Sequence, residues 1–186
     1  MFHKKYIVYS HFDFMPFTPL HLGPSLVFGL PLRKKLHLPT LLVASVAVDV
    51  EPFLVLVLGL NYPLHGYLHT FLLALPFGVL IGYTMFLLEK YLGELWRTLH
   101  LEEDPLDRAS FIGGGVLGTF SHVLLDSPLY SDIKPFFPLE ANPLYAPWLS
   151  GPIYELCVAS FIVGVVLYLV IAIRSKQYSR LRGDSL

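Results

Sequence analysis

The chain has 186 residues, of which 54% are hydrophobic and only 15% are charged, and its mean hydropathy is +0.59. Soluble domains carry roughly 25% charged residues, so this composition cannot cover a soluble core with a polar surface. The 13 basic and 14 acidic residues almost cancel, which argues against a nucleic-acid-binding protein, because such proteins carry a basic face. The single cysteine excludes a disulfide framework and a multi-cysteine zinc site. The composition therefore predicts one membrane-embedded domain.

Five apolar segments predict helices that cross the bilayer, which takes about 20 residues per helix. In chain order they are residues 17–32, 38–60, 64–88, 109–125 and 153–173. The first segment is short and contains three prolines, so it is either a fifth span or a re-entrant segment. The predicted fold class is an all-α integral membrane bundle of about five spans.

The distribution of basic residues predicts the orientation of this bundle. With five spans, ten of the 13 lysines and arginines fall on one side, whereas Lys4, Lys5 and Lys134 fall on the other. Because lysine and arginine concentrate in cytoplasmic loops, we expect a multi-pass cell-membrane protein with its C-terminus in the cytoplasm. The predicted parts are an N-terminal tail (1–14), the embedded domain (15–173) and a basic cytoplasmic tail (174–186), and translation starts at Met1 or Met15.

Seven ionisable side chains lie within or at the ends of the predicted spans: His21, Asp49, Glu51, His65, His69, His122 and Asp126. Each costs about 2.5–3.5 kcal/mol on insertion, so such groups persist where they face an interior and pair with one another. The two members of the His65/His69 pair are four residues apart, as are those of the His122/Asp126 pair, so each pair is expected on one helical face. The five-span topology places the histidines and Asp126 at the outer ends of their spans, and Asp49 and Glu51 deeper on the second span. Four helices thus bring ligand atoms to about one height, where we expect a metal site.

The ligand types narrow the choice of metal. Nitrogen and carboxylate donors without thiolate suit zinc, manganese or iron, and seven candidate ligands are enough for one or two ions. Asp49 and Glu51 lie next to Pro52, which is expected to bend the helix. A carboxylate here that is not fully used as a ligand is a candidate general base for orienting a metal-activated water. His3, His11, His37 and His100 fall in predicted tails and loops and are left out of the site.

Residues 127–151 form a loop rich in proline and aromatic residues that directly follows Asp126. Loops on a rigid scaffold often carry specificity, so the loop is a candidate lid. The candidate substrate-binding residues in it are Tyr130, Lys134, Asn142 and Tyr145. An aromatic belt at the membrane interface is the alternative interpretation of its composition.

Four stretches, in chain order, resemble the YdjM-type family of membrane-bound metal-dependent hydrolases. They are MPFTPLHLGP (15–24), VDVEPF (48–53), HGYLHT (65–70) and GTFSHVLLD (118–126). That family is grouped with zinc phospholipases C and single-strand nucleases, so the resemblance implies a helical zinc site that hydrolyses a phosphoester. The chain departs from the family where it has Glu51 in place of a frequent aspartate, and where it lacks an arginine between the histidines.

Two function classes follow from these residues. The first is a metal-dependent hydrolase of phosphoester bonds in lipid head groups or other membrane-linked substrates. Its expected partners are the lipid bilayer and such a substrate, not nucleic acid, and a homo-oligomer is left open. The second is a divalent-metal or proton transporter that uses the same side chains as a relay. A transporter needs acidic or histidine residues toward the cytoplasmic side, and the inner halves of the last three segments contain none, which favours the hydrolase.

Overall fold

The computed structural model describes residues 19–101 and 106–182. The predicted N-terminal tail, the first residues of the predicted domain and the end of the basic tail lie outside these ranges. Six α-helices, and no β-strand, make up the described part of the chain. They are Leu22–Leu32 (α1), Leu38–Ala47 (α2), Val50–Leu58 (α3), Phe71–Thr98 (α4), Arg108–Asp126 (α5) and Ser150–Arg182 (α6). The predicted all-α class is confirmed.

Three helical segments of the described chain are long and apolar enough to cross a membrane: Leu38–Leu58, Phe71–Thr98 and Pro147–Ser175. They indicate a membrane protein. The helix α1 has 11 residues and is therefore about 16 Å long, well short of the roughly 30 Å hydrocarbon core. The helix α5 is not among the three candidates either, so the five-span arrangement and the side of the C-terminus remain predictions.

Several predicted boundaries shift in the structure. The third predicted segment becomes helical only at Phe71, because the Thr70 hydroxyl accepts a hydrogen bond from the Leu73 N–H at 3.2 Å and caps α4. This helix then continues to Thr98, ten residues beyond the predicted end of the segment at residue 88. The last helix begins at Ser150 and continues to Arg182, so the predicted lid is slightly shorter and most of the predicted tail is helical.

Small residues let α5 pack closely between α4 and α2. A Cβ atom on Gly118 would lie 2.6 Å from the Ala44 Cβ on α2, and one on Gly82 would lie 2.6 Å from the Phe111 carbonyl oxygen on α5. Side chains larger than hydrogen would force these helices apart. The close approach holds the C-terminal end of α5 against the junction of α2 and α3.

The short helix α1 packs against α6 through two further glycines. A Cβ atom on Gly23 would lie 2.6 Å from the Phe161 N atom, and one on Gly164 would lie 2.6 Å from the Leu26 Cβ. This contact fixes the start of α1, and with it His21, beside the C-terminal end of α5. The polar residues at these helix ends form the site described next.

Candidate metal centre

The junction between α2 and α3 delivers Asp49. Pro52 has no backbone N–H to donate to the Val48 carbonyl, so the regular helical hydrogen bond is missing at this point. The Glu51 N–H donates to the Val48 carbonyl instead, at 3.2 Å, and residues 48–49 form a turn. The predicted bend beside Pro52 is confirmed. It leaves Asp49 buried, with its Oδ1 atom 3.3 Å from His122 Nε2.

His122 and Asp126 lie on one face at the C-terminal end of α5, as their spacing predicts, with His122 Nε2 3.2 Å from Asp126 Oδ2. The other ring nitrogen, Nδ1, lies 2.8 Å from the Ser45 carbonyl oxygen. Because a carbonyl only accepts, Nδ1 carries a proton and donates it. Nε2 thus faces two carboxylates, of Asp49 and Asp126, and this arrangement requires a positive charge between the three groups, either a second ring proton or a metal ion.

The structure places His69 in a 3-10 turn, Tyr67–His69, and not on a helix. The expectation that His65 and His69 share one helical face was wrong, because α4 begins after both. Their rings still approach each other, with centroids 4.8 Å apart. His69 is fully buried and its Nε2 atom lies 4.0 Å from Asp126 Oδ2. Burial lowers the pKa of His69, which favours the neutral ring that metals bind.

Glu51 holds His69 in place. Its Oε2 atom accepts hydrogen bonds from His69 Nδ1 at 3.1 Å and from the backbone N–H groups of Gly66 and Leu68 at 3.0 and 3.1 Å. Its Oε1 atom accepts one from the Tyr62 hydroxyl at 3.3 Å. A carboxylate that receives the Nδ1 proton of a histidine fixes the tautomer that directs Nε2 to a metal. Glu51 therefore positions His69, whereas the sequence analysis expected it among the ligands and general bases.

Gly66 makes room for this arrangement. A Cβ atom at this position would lie 2.5 Å from Glu51 Oε1 and would also collide with the Tyr62 ring. The absence of a side chain thus allows the backbone to approach the carboxylate closely enough to donate to it.

Asp49, His69, His122 and Asp126 form a group in which one ligand atom of each lies within 4.8 Å of the others, and all four residues are buried. Ligands bound about 2.0–2.2 Å from one tetrahedral ion lie about 3.3–3.6 Å apart. The closest measured separations, 3.2, 3.3 and 4.0 Å, bracket this range. With two histidine nitrogens and two carboxylates, the group can hold a divalent metal ion.

The other two predicted histidine ligands flank this group. His21 Nε2 lies 3.1 Å from Asp126 Oδ1, whereas His122 Nε2 contacts the other oxygen, Oδ2. His65 instead points its Nδ1 atom at Asp132, with 3.0 Å to Oδ1, and stacks on Tyr130 at a centroid distance of 4.1 Å. Both histidines are close to the four-residue group without belonging to it.

Asp132 lies in the predicted lid, and its contact with His65 was not predicted. Burial opposes ionisation of its carboxyl, but the hydrogen bonds from the ring and backbone of His65 outweigh burial and lower the Asp132 pKa. No spacing rule relates a loop residue to a histidine 67 positions earlier in the chain. Only the folded loop brings them together.

The predicted substrate-binding residues separate into two kinds. Asn142 is structural: its Nδ2 atom donates to the carbonyls of Ser127 and Tyr130, at 2.8 and 3.1 Å, and its Oδ1 accepts from Leu144 N–H at 3.0 Å. Its amide holds the loop closed over the end of α5. Burial raises the pKa of Tyr130 well above its usual value, so Tyr130 remains a neutral phenol beside His65.

Lys134 and Tyr145 are the exposed members of the predicted set. Lys134 lies 3.8 Å from Glu140, and it lines a polar cavity of about 190 Å³ together with His65 and Asp132. Tyr145 is 40% exposed. None of the four residues of the candidate metal group lines this cavity.

A second buried polar cluster lies at the opposite end of α2 and was also missed. His37 is fully buried at the N-cap of α2, where its Nδ1 atom accepts a hydrogen bond from the Thr40 N–H at 3.3 Å. Its Nε2 atom lies 3.4 Å from Glu89 Oε2, and its ring stacks on Phe111 at 3.9 Å. Burial lowers the pKa of His37 to about 4. We call these four residues the His37 cluster.

Comparison with known proteins finds no matching family model, curated protein or solved structure. The candidate site is therefore interpreted from its own geometry.

Proposed function

We propose that this chain is a membrane-bound metal-dependent hydrolase that cleaves phosphoester bonds in lipids or other membrane-linked substrates. The observation that carries the proposal is the geometry of two buried histidines. His69 and His122 each use Nδ1 on a protein acceptor, and each directs Nε2 toward the carboxylate of Asp126. Buried charges this close are costly without a cation, and the second hydrogen bond on each ring is typical of metal sites.

Zinc is the proposed metal, because two imidazoles and two carboxylates without thiolate suit it, although manganese and iron accept similar donors. The four-residue group accounts for one ion. His21, on the far oxygen of Asp126, is the ligand available to a second ion.

A divalent ion in such a group lowers the pKa of a bound water molecule to about 7 and polarises the bond under attack. Of the two predicted general bases, Glu51 is engaged by four donors, whereas Asp49 lies in the group itself. We therefore assign the proton-accepting role to Asp49 and the positioning role to Glu51. In this assignment His69, His122 and Asp126 would hold the ion and leave its fourth position to water.

The phosphoester specificity rests on the resemblance of four sequence stretches to the YdjM-type hydrolases and on the position of Lys134 beside His65 in the polar cavity. A cation at the rim assists the binding of an anionic substrate more than it assists the chemical step. Replacement of Lys134 by alanine should accordingly raise KM for phosphoesters and leave kcat nearly unchanged.

The hydrolase is tested by measuring phosphate or head-group release from phospholipids and simple phosphodiesters in detergent, with and without a chelator. Asp49→Asn should lower the rate about 10²-fold or more, the scale of lost general-base catalysis. Asp107→Asn is a matched control, because asparagine also caps a helix and Asp107 caps α5 at its other end. Chelator-insensitive hydrolysis, or no hydrolysis of any ester by protein that contains its metal, would refute the proposal.

A divalent-metal or proton transporter is the second candidate, and one observation favours it. Buried Thr40 and Ser45 lie on α2 between His37 and Asp49, a distance of about 18 Å along the helix. Polar residues between two ionisable clusters are typical of ion paths. Metal or proton flux into proteoliposomes that Glu89→Gln abolishes would support the transporter and displace the hydrolase.

We also propose that the protein lies in the cell membrane with its C-terminus in the cytoplasm, on the basis of the distribution of basic residues. In a Cys157→Ser background, a cysteine introduced near Ser175 should be labelled from the cytoplasmic side and one near Asn142 from outside. Labelling of both from the same side would rule out the five-span arrangement.

A further inference from the structure

An apolar groove of about 460 Å³ runs along α1 between α5 and α6. Its volume lies within the roughly 300–1,000 Å³ of small-molecule sites. Twelve residues line it, among them Pro24 and Phe28 on α1, Leu117 and Leu124 on α5, and Leu156 and Ser160 on α6.

One end of the groove lies at the height of the candidate metal centre. Pro24 follows His21 by one helical turn on α1, and Leu124 and Leu125 directly precede Asp126 on α5. His21 precedes the N-terminus of α1, and Asp126 is at the C-terminus of α5. Because His21 and Asp126 are in contact, these two helix ends lie at the same end of the groove. The contact between His21 Nε2 and Asp126 Oδ1, at 3.1 Å, lies just beyond that end of the lining along the two helices.

The length of the groove corresponds to one leaflet of a bilayer. Its lining extends from Pro24 to Leu32 on α1 and from Leu117 to Leu125 on α5, about 12 Å along either helix. Half of the hydrocarbon core is about 15 Å thick. A chain that lies in the groove with its head at the metal centre therefore spans nearly the depth of one leaflet.

The walls of the groove are apolar throughout their length. The Ser121 and Ser160 hydroxyls donate to carbonyls of their own helices, Gly118 at 2.8 Å and Cys157 at 3.0 Å. They therefore need no hydrogen-bond partner from an occupant. The rim is open and hydrophobic, with Phe28, Leu124 and Leu156 exposed by 67%, 56% and 57%. An exposed apolar rim on a chain with candidate membrane spans faces lipid hydrocarbon.

We propose that this groove binds one acyl chain of an amphiphilic phosphoester lipid, which enters sideways from the bilayer and places its head group at the candidate metal centre. The inference rests on the proposed function, since it names the substrate class of the same site. It also gives a role to each of two cavities. The apolar groove along α1 would bind the acyl chain, and the cavity that contains Lys134, beside the loop, would bind the anionic head group.

Binding is tested without turnover. The full chain in phosphatidylcholine vesicles is irradiated with a trace of phosphatidylglycerol that carries a diazirine in one acyl chain, and the cross-linked residues are mapped by mass spectrometry. Cross-links should concentrate on the facing residues of α1 and α5. Ser160→Phe and Leu117→Trp fill the groove and should remove most of these cross-links.

Matched controls carry the same bulk elsewhere. Ile162→Phe and Leu80→Trp place it at positions that are each 59% exposed and do not line the groove, so they should leave cross-linking unchanged. Equal behaviour of groove and control variants, or cross-links on α3 and α4 as frequent as those on the groove residues, would overturn the proposal. It would also be overturned if residues 1–18 or a second copy of the chain cross-linked to the groove in place of lipid.

A second measurement separates this proposal from the hydrolase. The groove variants should slow hydrolysis of a long-chain phospholipid and leave that of a water-soluble phosphodiester unchanged. Groove-dependent cross-linking without hydrolysis of any ester would preserve the groove and refute the hydrolase. Hydrolysis that the groove variants do not affect for either substrate would preserve the hydrolase and refute the groove.

Discussion

The candidate metal centre and the His37 cluster lie at opposite ends of α2, and both bury a histidine beside a carboxylate. They differ in which ring nitrogen carries the proton. In the His37 cluster, Nδ1 accepts a backbone N–H from Thr40, so Nε2 holds the proton and faces Glu89. In the metal centre, His122 Nδ1 donates to a carbonyl, so Nε2 is the atom available to a metal. Burial of a histidine is thus a weak indicator of function, and the partner of each ring nitrogen is the stronger one.

The number of converging groups also differs. Four ligand atoms lie within 4.8 Å of one another in the metal centre. In the His37 cluster, one ring nitrogen of His37 caps α2 and the other lies near a single carboxylate. This arrangement is typical of a structural histidine. This difference in geometry predicts that the metal centre binds an ion and that the His37 cluster does not.

The largest expected effect is on metal content. His69→Ala and His122→Ala should each lose the bound ion, because each removes one of the few side chains that would hold it. His37→Ala should retain the ion in full. Elemental analysis of the purified proteins, with size-exclusion profiles to verify folding, measures this directly. Full metal occupancy in both site variants would remove these histidines from the ligand set.

An intermediate effect is expected for Glu51→Gln. Loss of the carboxylate that orients a metal-bound histidine typically lowers metal affinity about 10–100-fold. The matched control is Asp132→Asn, since Asp132 holds His65 in the same way and His65 is outside the four-residue group. Competition with a fluorescent zinc chelator gives both affinities. Equal losses in the two variants would mean that the site extends to His65.

A smaller effect concerns pH. Burial lowers the pKa of His37 to about 4 from 6.5, so between these values the unfolded chain binds a proton that the folded chain does not. Stability should therefore be constant above pH 6.5 and should fall as the pH falls toward 4. His37→Asn caps α2 without titrating, so in chelator its stability should depend less on pH than that of the wild type. If the thermal stabilities of the wild type and of His37→Asn changed with pH by the same amount, His37 would not be the group responsible.

The smallest effect is expected for the cap itself. His37→Ala removes the acceptor for the Thr40 N–H and should lower the free energy of unfolding by about 1 kcal/mol at neutral pH, as for other helix caps. His37→Asn should recover most of this loss. Reversible unfolding in mixed micelles measures both variants. A loss of hydrolysis or transport by His37→Ala with unchanged stability would show that the cluster is functional.

The sequence by itself determined the helical class, the kinds of ligand atoms and the bend at Pro52. These features depend on composition and on backbone chemistry within one segment. The i, i+4 spacing of His122 and Asp126 was also sufficient, because the helix repeat puts them on one face wherever the helix lies.

Only the tertiary structure decided which polar residues converge. Periodicity gives the face of a residue within one helix, but the relative height and rotation of neighbouring helices depend on how closely they pack, here at Gly82 and Gly118. The roles of Glu51, Asp132 and His37 depend on backbone donors and loop positions that have no sequence period. Loop conformation and helix packing, both long-range, therefore separated a ligand from the residue that orients it.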